Sequence, residues 1–93
     1  MFDKEAEERF FNMLSCAPEL ERFFDRKEGM AKIKSIQIEL AREREEAELL
    51  RFFGSVWFGN SDHFGFDFIN AAKHMGERDK KIVRRWLVDP FFP

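Results

Sequence analysis

The chain has no tyrosine, a single cysteine and few residues that break helices. Its 93 residues include five glycines and three prolines. The absence of tyrosine removes the phenolic hydroxyl as an acid, a nucleophile or a polar group on the aromatic rings. The single cysteine, Cys16, excludes an internal disulfide. Because Cys16 lies near a predicted helix end without an obvious histidine partner, we expect a small buried apolar residue and not a nucleophile.

Long apolar runs and a strong net charge are also missing. No stretch approaches 18 apolar residues, so we expect no membrane partner. The opening residues are acidic and do not form a basic-then-apolar leader, which predicts a cytoplasmic protein. The net charge of −2 argues against a strong nucleic-acid binder. The charges are nevertheless unevenly distributed, because residues 1–29 carry five basic and eight acidic side chains, whereas residues 73–85 carry six basic and two acidic ones.

Phenylalanine is abundant in this chain. There are 13 Phe and two Trp, and eight of the phenylalanines form four doublets: Phe10-Phe11, Phe23-Phe24, Phe52-Phe53 and Phe91-Phe92. Neighbouring positions on a helix point about 100° apart, so each doublet widens an apolar stripe and offers ring surface at its flank. We expect these flanks at the outer edges of the fold to be covered by a partner.

The spacing of apolar residues predicts an all-α fold, a small bundle of four or five helices in a single domain, residues 1–93. A first helix is predicted over about 3–16, with Asp3 as its N-cap. A second, short helix is predicted to start at Pro18 and to stop at Gly29, since proline fits the first turn of a helix.

The longest helix is predicted over about 30–53, where there is no glycine or proline and the apolar residues follow an a/d pattern. The other helices are expected to surround this central helix. A strand over 36–40 is the alternative, because apolar residues also alternate there. The charges of alternating sign over 42–51 are typical of partner-selecting positions in a coiled coil or of a solvated helix face.

A segment rich in glycine and aromatic residues, 54–66, precedes the last two helices. It is predicted to be a loop, with a hairpin turning near Gly59 as the alternative. A loop of this length indicates either a binding role or rings that close one end of the helical core. Trp57, Phe58 and Phe64 are the aromatic residues of this segment that we assign to a binding surface.

Gly76 separates two predicted helices in the last third of the chain. Ala72 lies four positions before this glycine and Ile82 lies six positions after it. The segment 71–87 thereby resembles the helix-turn-helix of bacterial DNA-binding regulators, in which a small and an aliphatic residue at this spacing let two helices cross closely. The resemblance implies that the second helix enters the major groove, with these side chains meeting phosphates or guanine edges: Lys80, Lys81, Arg84 and Arg85.

The acidic residues Glu77 and Asp79 support a second interpretation of the same segment. If both acids lie in the first turn of the last helix, they complement its dipole, and the connection becomes too short for the three- to four-residue turn of a helix-turn-helix. The segment is then an ordinary helical hairpin with a solvated basic face.

The residues that could carry chemistry do not form a catalytic or metal-binding pattern. The two histidines, His63 and His74, and the one thiol lack the spacing of metal or acid–base sites, so we predict no enzyme activity, no metal and no cofactor. The predicted function is macromolecular binding, by self-association as a homo-oligomer or by docking on a larger protein as an adaptor or inhibitor. The alternative is a helix-turn-helix-like DNA-binding regulator that uses residues 68–88. The predicted partner-binding residues are Lys80, Lys81, Arg84, Arg85, Trp57, Phe58 and Phe64.

Overall fold

The computed structural model describes residues 4–42 and 47–93, and within these residues it is mostly helical. This confirms the all-α class. The elements, in chain order, are α1 (Lys4–Leu14), a 3₁₀ helix (Pro18–Phe23), β1 (Phe24–Asp25), β2 (Met30–Ala31), α2 (Ile33–Ala41), α3 (Ala47–Phe58), α4 (Phe68–His74) and α5 (Glu77–Val88). One hydrophobic cluster contains residues from all five α-helices, the 3₁₀ helix and β1.

Helix α1 forms where the apolar spacing predicts it. Its buried residues are Ala6, Phe10, Phe11 and Leu14, which recur at the four- and eight-residue intervals of one helix face. The outer face carries Lys4, Glu5, Glu8 and Asn12, all exposed. The proposed N-cap, Asp3, lies outside the described residues.

The second predicted helix is confirmed at its start and is wrong after Phe23. Pro18 does begin a helix, but it is a 3₁₀ helix that ends at Phe23. The chain then forms an antiparallel pair of two-residue strands, with Phe24 opposite Ala31. Gly29 has a φ of 63° in the turn between them, a conformation that glycine adopts without strain. Because this turn reverses the chain, Phe23 and Phe24 both lie in the core.

The long central helix predicted over 30–53 is also wrong. Its first residues, Met30–Ala31, belong to β2, and the remainder contains two helices, α2 and α3, which contact each other. Residues 43–46, where the predicted charge pattern is densest, lie outside the described residues. Ile36 of α2 and Leu50 of α3 both lie in the core cluster, so the two helices share one core.

Residues 54–58, predicted as the start of a loop, form the end of α3, so Trp57 and Phe58 are helical. The chain between Gly59 and Asp67 then consists of turns and irregular backbone, without a strand in any of its described residues, so the hairpin alternative is wrong. Phe64 is 4% exposed and belongs to the core cluster. The interpretation that rings of this segment close the core is therefore confirmed for Phe64.

The phenylalanine doublets mostly face inward. Six of the eight rings are buried in this one chain: Phe10, Phe11, Phe23, Phe24, Phe52 and Phe53. The ring of Phe10, for example, makes edge contacts with Phe24 and Phe53 at centroid distances of 5.0 and 5.7 Å. The expectation that the doublets decorate the outer edges of the fold is wrong for three of them, because all six of their rings belong to the one core cluster. Only Phe91-Phe92 leaves ring surface outside, with Phe92 56% exposed.

Candidate binding surface on the last two helices

Helix α4 begins at a side-chain cap. The Asp67 carboxylate accepts a hydrogen bond from the backbone N–H of Ile69 at 2.9 Å, which satisfies one of the free donors at the helix start. The helix has seven residues and ends at His74. Its one buried residue is Ala71, so the other α4 side chains lie at or near the surface.

The connection from α4 to α5 is two residues long. Met75 and Gly76 are both extended, with ψ angles of 138° and 178°, and Glu77 starts the next helix. Glu77 and Asp79 lie in the first turn of α5, where they complement the positive end of its dipole. This is the shorter connection of the second interpretation above, and it lacks the three- to four-residue turn that the helix-turn-helix resemblance implies.

The small residue that the resemblance requires is also displaced. Ala72 is exposed, and its neighbour Ala71 is the buried residue. Ile82 is buried as expected. The short connection and the exposed Ala72 both depart from the pattern that the spacing of Ala72, Gly76 and Ile82 predicts.

Helix α5 presents an exposed cationic face that we call the basic ridge: Lys80, Lys81, Arg84 and Arg85. The opposite face is formed by buried Ile82 and Val83 and by half-buried Trp86. Leu87 is 50% exposed and lies beside the ridge.

Between α4 and α5 lies a groove of about 310 Å³, which we call the α4–α5 groove. Phe68 and Leu87 line it and are half exposed, at 52% and 50%. The basic ridge supplies three of its cationic residues, against one acidic residue, Glu77. The full lining is Phe66, Phe68, Ala71, Ala72, Met75, Glu77, Lys80, Lys81, Val83, Arg84 and Leu87. The groove is thus an apolar strip with a cationic border.

The aromatic side of the groove is connected to the core by a series of ring contacts. Phe68 contacts Phe66 at a centroid distance of 4.9 Å, and Phe66 contacts buried Phe52 at 5.4 Å. Phe52 also contacts Trp86 at 5.5 Å, and Trp86 contacts Phe92 at 5.6 Å. Because these rings hold one another in edge-to-face geometry, the exposed apolar surface of Phe68 and Phe92 is preorganised.

One cation of α5 is committed to contacts within the chain. Arg78 donates to the carboxylates of Glu19 (3.1 Å) and Asp79 (2.9 Å). The hydrogen bond from Arg78 lowers the pKa of Glu19, and the same bond raises the pKa of Arg78. Arg78 therefore ties α5 to the 3₁₀ helix and is separate from the basic ridge.

The aromatic residues assigned to the site from sequence do not line this groove. Trp57 lies on Phe10 and Phe11, at centroid distances of 4.9 and 5.8 Å. Phe58 lies beside Phe64, which is buried. The structure instead brings Phe66 and Phe68 to the groove, which the sequence analysis omitted. For Phe66 the signal was its position directly before the capping Asp67, since a hydrophobic residue there often packs on the helix and fixes the angle at which the chain enters it.

The remaining features of the part of the chain that the structure describes concern metal binding, the thiol and membrane spanning. Among residues 4–42 and 47–93 there is no group of three or more His, Cys, Asp and Glu side chains placed to hold a metal ion. Cys16 is exposed, so the expectation that it is buried is wrong. None of the helices that the structure describes has the length and apolar character that crossing a membrane requires.

Comparison with known proteins adds no relative: no family model, curated protein or solved structure matches this chain.

Proposed function

We propose that this protein acts by binding, without catalysis, and that it docks through the α4–α5 groove on an acidic amphipathic segment of a partner protein. The observation that carries the proposal is the position of half-exposed Phe68 and Leu87 in a groove with a cationic border. Such a groove suits a helix whose apolar residues enter the strip and whose carboxylates meet Lys80, Lys81 and Arg84.

The distribution of apolar surface supports this location. Five of the eight large hydrophobic residues that the structure leaves exposed belong to α4, α5 or the segment that follows α5: Phe68, Ile69, Leu87, Val88 and Phe92. Exposed apolar residues that are scattered singly need no explanation, whereas a concentration bordered by charge is typical of an interaction site. The other three, Met30, Ile33 and Ile38, lie on β2 and α2.

Charge favours a different protein over a second copy as the partner. A two-fold symmetric contact through this groove would place one basic ridge opposite another, and like charges facing each other weaken an interface. The acidic helix α1 of a second copy would match in charge, but its apolar residues are buried in its own core. The homo-oligomer predicted from sequence stays a prediction, and so does the cytoplasmic location.

DNA binding is the alternative supported by the exposed basic ridge. It uses charge alone, because phosphate contacts need no apolar groove. It gives no role to Phe68 and Leu87, and the two-residue connection lacks the turn of a helix-turn-helix. We therefore propose the protein partner and make DNA binding an outcome of the test.

The test uses a fluorescently labelled helical peptide of about 20 residues, with leucines on one face and glutamates on its flanks. We expect fluorescence anisotropy to show binding, and the variant Leu87→Ser to weaken it about tenfold because a buried leucine contributes about 1.5–3 kcal/mol. Val88→Ser is the matched control, since Val88 is exposed on the same helix but does not line the groove. Failure of the wild-type protein to bind the peptide would contradict the proposal.

A charge-reversal pair distinguishes the groove from the ridge as a whole. Arg84 lines the α4–α5 groove and Arg85 does not, so Arg84→Glu should weaken peptide binding more than Arg85→Glu. If duplex DNA is the partner, both substitutions should weaken DNA binding alike, Leu87→Ser should have no effect, and affinity should fall steeply between about 50 and 200 mM salt. That pattern would show that DNA is the partner. If the protein instead sediments as a dimer and Leu87→Ser dissociates the dimer, the partner is a second copy of this chain.

A further inference from the structure

A second cavity, of about 450 Å³, lies between α1 and α5, on the other side of the basic ridge from the α4–α5 groove. We call it the α1–α5 cleft. Its apolar walls are Met13 from α1, Ile82 and Trp86 from α5, and Phe91 from the segment after α5. Its volume falls within the range of about 300–1,000 Å³ that is typical of small-molecule sites.

The cleft has a marked excess of positive charge. Four cations line it, Arg9, Arg78, Lys81 and Arg85, against one acid, Asp89. Arg9 pairs with Asp89 at 2.9 Å, and Arg78 is held by Glu19 at 3.1 Å. Lys81 and Arg85 form no ion pair with any residue that the structure describes, so two cations of the cleft are free to meet an anion.

The walls beside these cations are aromatic and rigid. The indole N–H of Trp86 donates to the carbonyl oxygen of Phe91 at 3.1 Å, which uses the only polar atom of that side chain. The guanidinium of Arg9 lies over the ring of Phe91, 4.6 Å from its centroid. Trp86 and Phe91 therefore present ring surface to the cleft, next to the unpaired cations Lys81 and Arg85.

We propose that the α1–α5 cleft binds a small amphiphilic anion. Its apolar body, a planar ring system or an acyl chain, lies against Trp86 and Phe91, and its carboxylate, sulfonate or phosphate head meets Lys81 and Arg85. This combination follows from an apolar wall of Met13, Ile82, Trp86 and Phe91 beside convergent cations. Lys81 lines both cavities, but the inference does not rest on the proposed protein partner, because Arg85 and Trp86 line this cleft and do not line the α4–α5 groove.

The first test measures binding of anilinonaphthalene sulfonate, an anionic aromatic dye, by its fluorescence. We expect Arg85→Glu to weaken binding about three- to tenfold, as expected for reversal of one charge at a partly desolvated contact. Lys73→Glu is the control, because it makes the same change in net charge at an exposed residue that lines neither the cleft nor the α4–α5 groove, and it should alter binding less than about twofold. Equal effects of the two substitutions would overturn the assignment.

The second test locates the ligand without any substitution. Cys16 lines the cleft, is exposed, and is the only cysteine in the chain. A bound ligand should slow its modification by an uncharged maleimide. We expect protection by the dye, by naphthalene sulfonate or by decanoate, and the more effective of the last two identifies a planar or an acyl body.

Two comparison ligands separate the contributions of head and body. Inorganic phosphate has the charge without the apolar body, and naphthalene has the body without the charge. We expect neither to protect Cys16 at concentrations where the amphiphilic anions do. Protection by phosphate alone would reduce the site to a simple anion site, protection by naphthalene would show that charge is not used, and either result, or no protection by any ligand, would overturn the proposal.

Discussion

Gly54 lies inside α3 against the ring of Phe64. A Cβ atom built at Gly54 would come within 2.5 Å of Cδ2 and 2.8 Å of Cε2 of that ring, closer than such atoms can approach. Glycine in the interior of a helix costs about 1 kcal/mol relative to alanine. Burial of Phe64 offsets this cost, because the absence of a side chain at Gly54 leaves room for the Phe64 ring in the core.

Gly54→Ala should therefore destabilise the protein although it favours helix formation. Overpacking costs about 1–3 kcal/mol and the helix gains about 1 kcal/mol. Because the added Cβ would come within 2.5 Å of the ring, we expect the upper end of this balance, a net loss of up to about 2 kcal/mol in the free energy of unfolding, measured by urea denaturation. Adding Phe64→Leu should reduce the penalty of Gly54→Ala, which a double-mutant cycle would detect. Gly76→Ala is the control, since nothing lies within 4 Å of the added Cβ. A more stable Gly54→Ala variant would contradict the close contact.

The Glu19–Arg78 pair should contribute to stability only where Glu19 is ionised. Because the pKa of Glu19 is lowered in the folded state from its ordinary value of 4.5, the contribution is present above that value and is lost as pH falls through the lower folded pKa. The pKa of Arg78 is raised, so Arg78 stays charged throughout and adds no pH dependence in this range. Both side chains are about half exposed, with 50% and 40% accessible, so solvent screening limits the contribution to about 1 kcal/mol or less.

The measurement is the difference in unfolding free energy between wild type and Glu19→Gln at about pH 7 and about pH 3. Taking a difference is necessary because the other carboxylates titrate in both proteins. We expect wild type to be the more stable at neutral pH and the two proteins to converge in acid. A difference that is the same at both pH values would show that Glu19 acts by packing and not by charge.

At the scale of elements, α4 depends on its cap more than a longer helix would. An isolated helix of seven residues does not form in water, so its start must be fixed by Asp67 and by contacts with the rest of the chain. Asp67→Ala should cost about 1 kcal/mol in unfolding free energy, whereas Asp67→Asn, which can also cap, should cost much less.

The same substitution links the cap to the proposed function. Phe68 directly follows Asp67 and lines the α4–α5 groove. Asp67→Ala should therefore weaken binding of the acidic peptide although Asp67 does not itself line the groove, and it should increase amide hydrogen exchange at Ile69, whose N–H the cap accepts. Unchanged exchange at Ile69 would contradict the capping role.

Helices whose apolar residues recur on one continuous face can be predicted from the sequence. The apolar spacing of α1 and the alternation of buried and cationic positions on α5 could be predicted because one face of each helix is continuous. The separation of α2 from α3 could not, because no glycine or proline marks it and the two helices are held by packing against each other. At Gly54 the reverse happens, because a glycine is present but does not end the helix. Glycine is usually typical of a turn or loop, whereas here it lies inside α3 and makes room for the ring of Phe64.

The candidate site was half predictable for a related reason. Charge on an exposed helix face can be inferred from its spacing, so the basic ridge was predicted correctly. Which aromatic rings lie beside it depends on how α3, α4 and α5 pack, and that is a tertiary property. Trp57, Phe58 and Phe64, the aromatic residues predicted from sequence, therefore lie outside the α4–α5 groove, and Phe66 and Phe68 line it instead.

At the scale of the whole molecule, contacts between distant segments hold α1 and the segment after α5 together. Arg9 of α1 donates to both the carboxylate and the carbonyl oxygen of Asp89 at 2.9 Å, across 80 positions of sequence. Beneath this polar contact, Phe10 is fully buried and connects α1 to β1 and α3 through its edge contacts. The fold thus combines a buried aromatic centre with an exposed aromatic edge at Phe92.

The buried centre and the exposed edge should differ sharply in their effect on stability, which a matched pair of phenylalanine substitutions can measure. Phe10→Ala should cost about 3–5 kcal/mol in unfolding free energy because it leaves a cavity among four rings, those of Phe11, Phe24, Phe53 and Trp57. Phe92→Ala should cost about 1 kcal/mol or less, since more than half of its surface is already in water. Since the stability of such a domain is only about 5–15 kcal/mol, Phe10→Leu provides a milder variant whose loss should lie between the two. Equal losses for Phe10→Ala and Phe92→Ala in urea denaturation would mean that the second residue of the last doublet is as central to the fold as the buried rings, contrary to the structure.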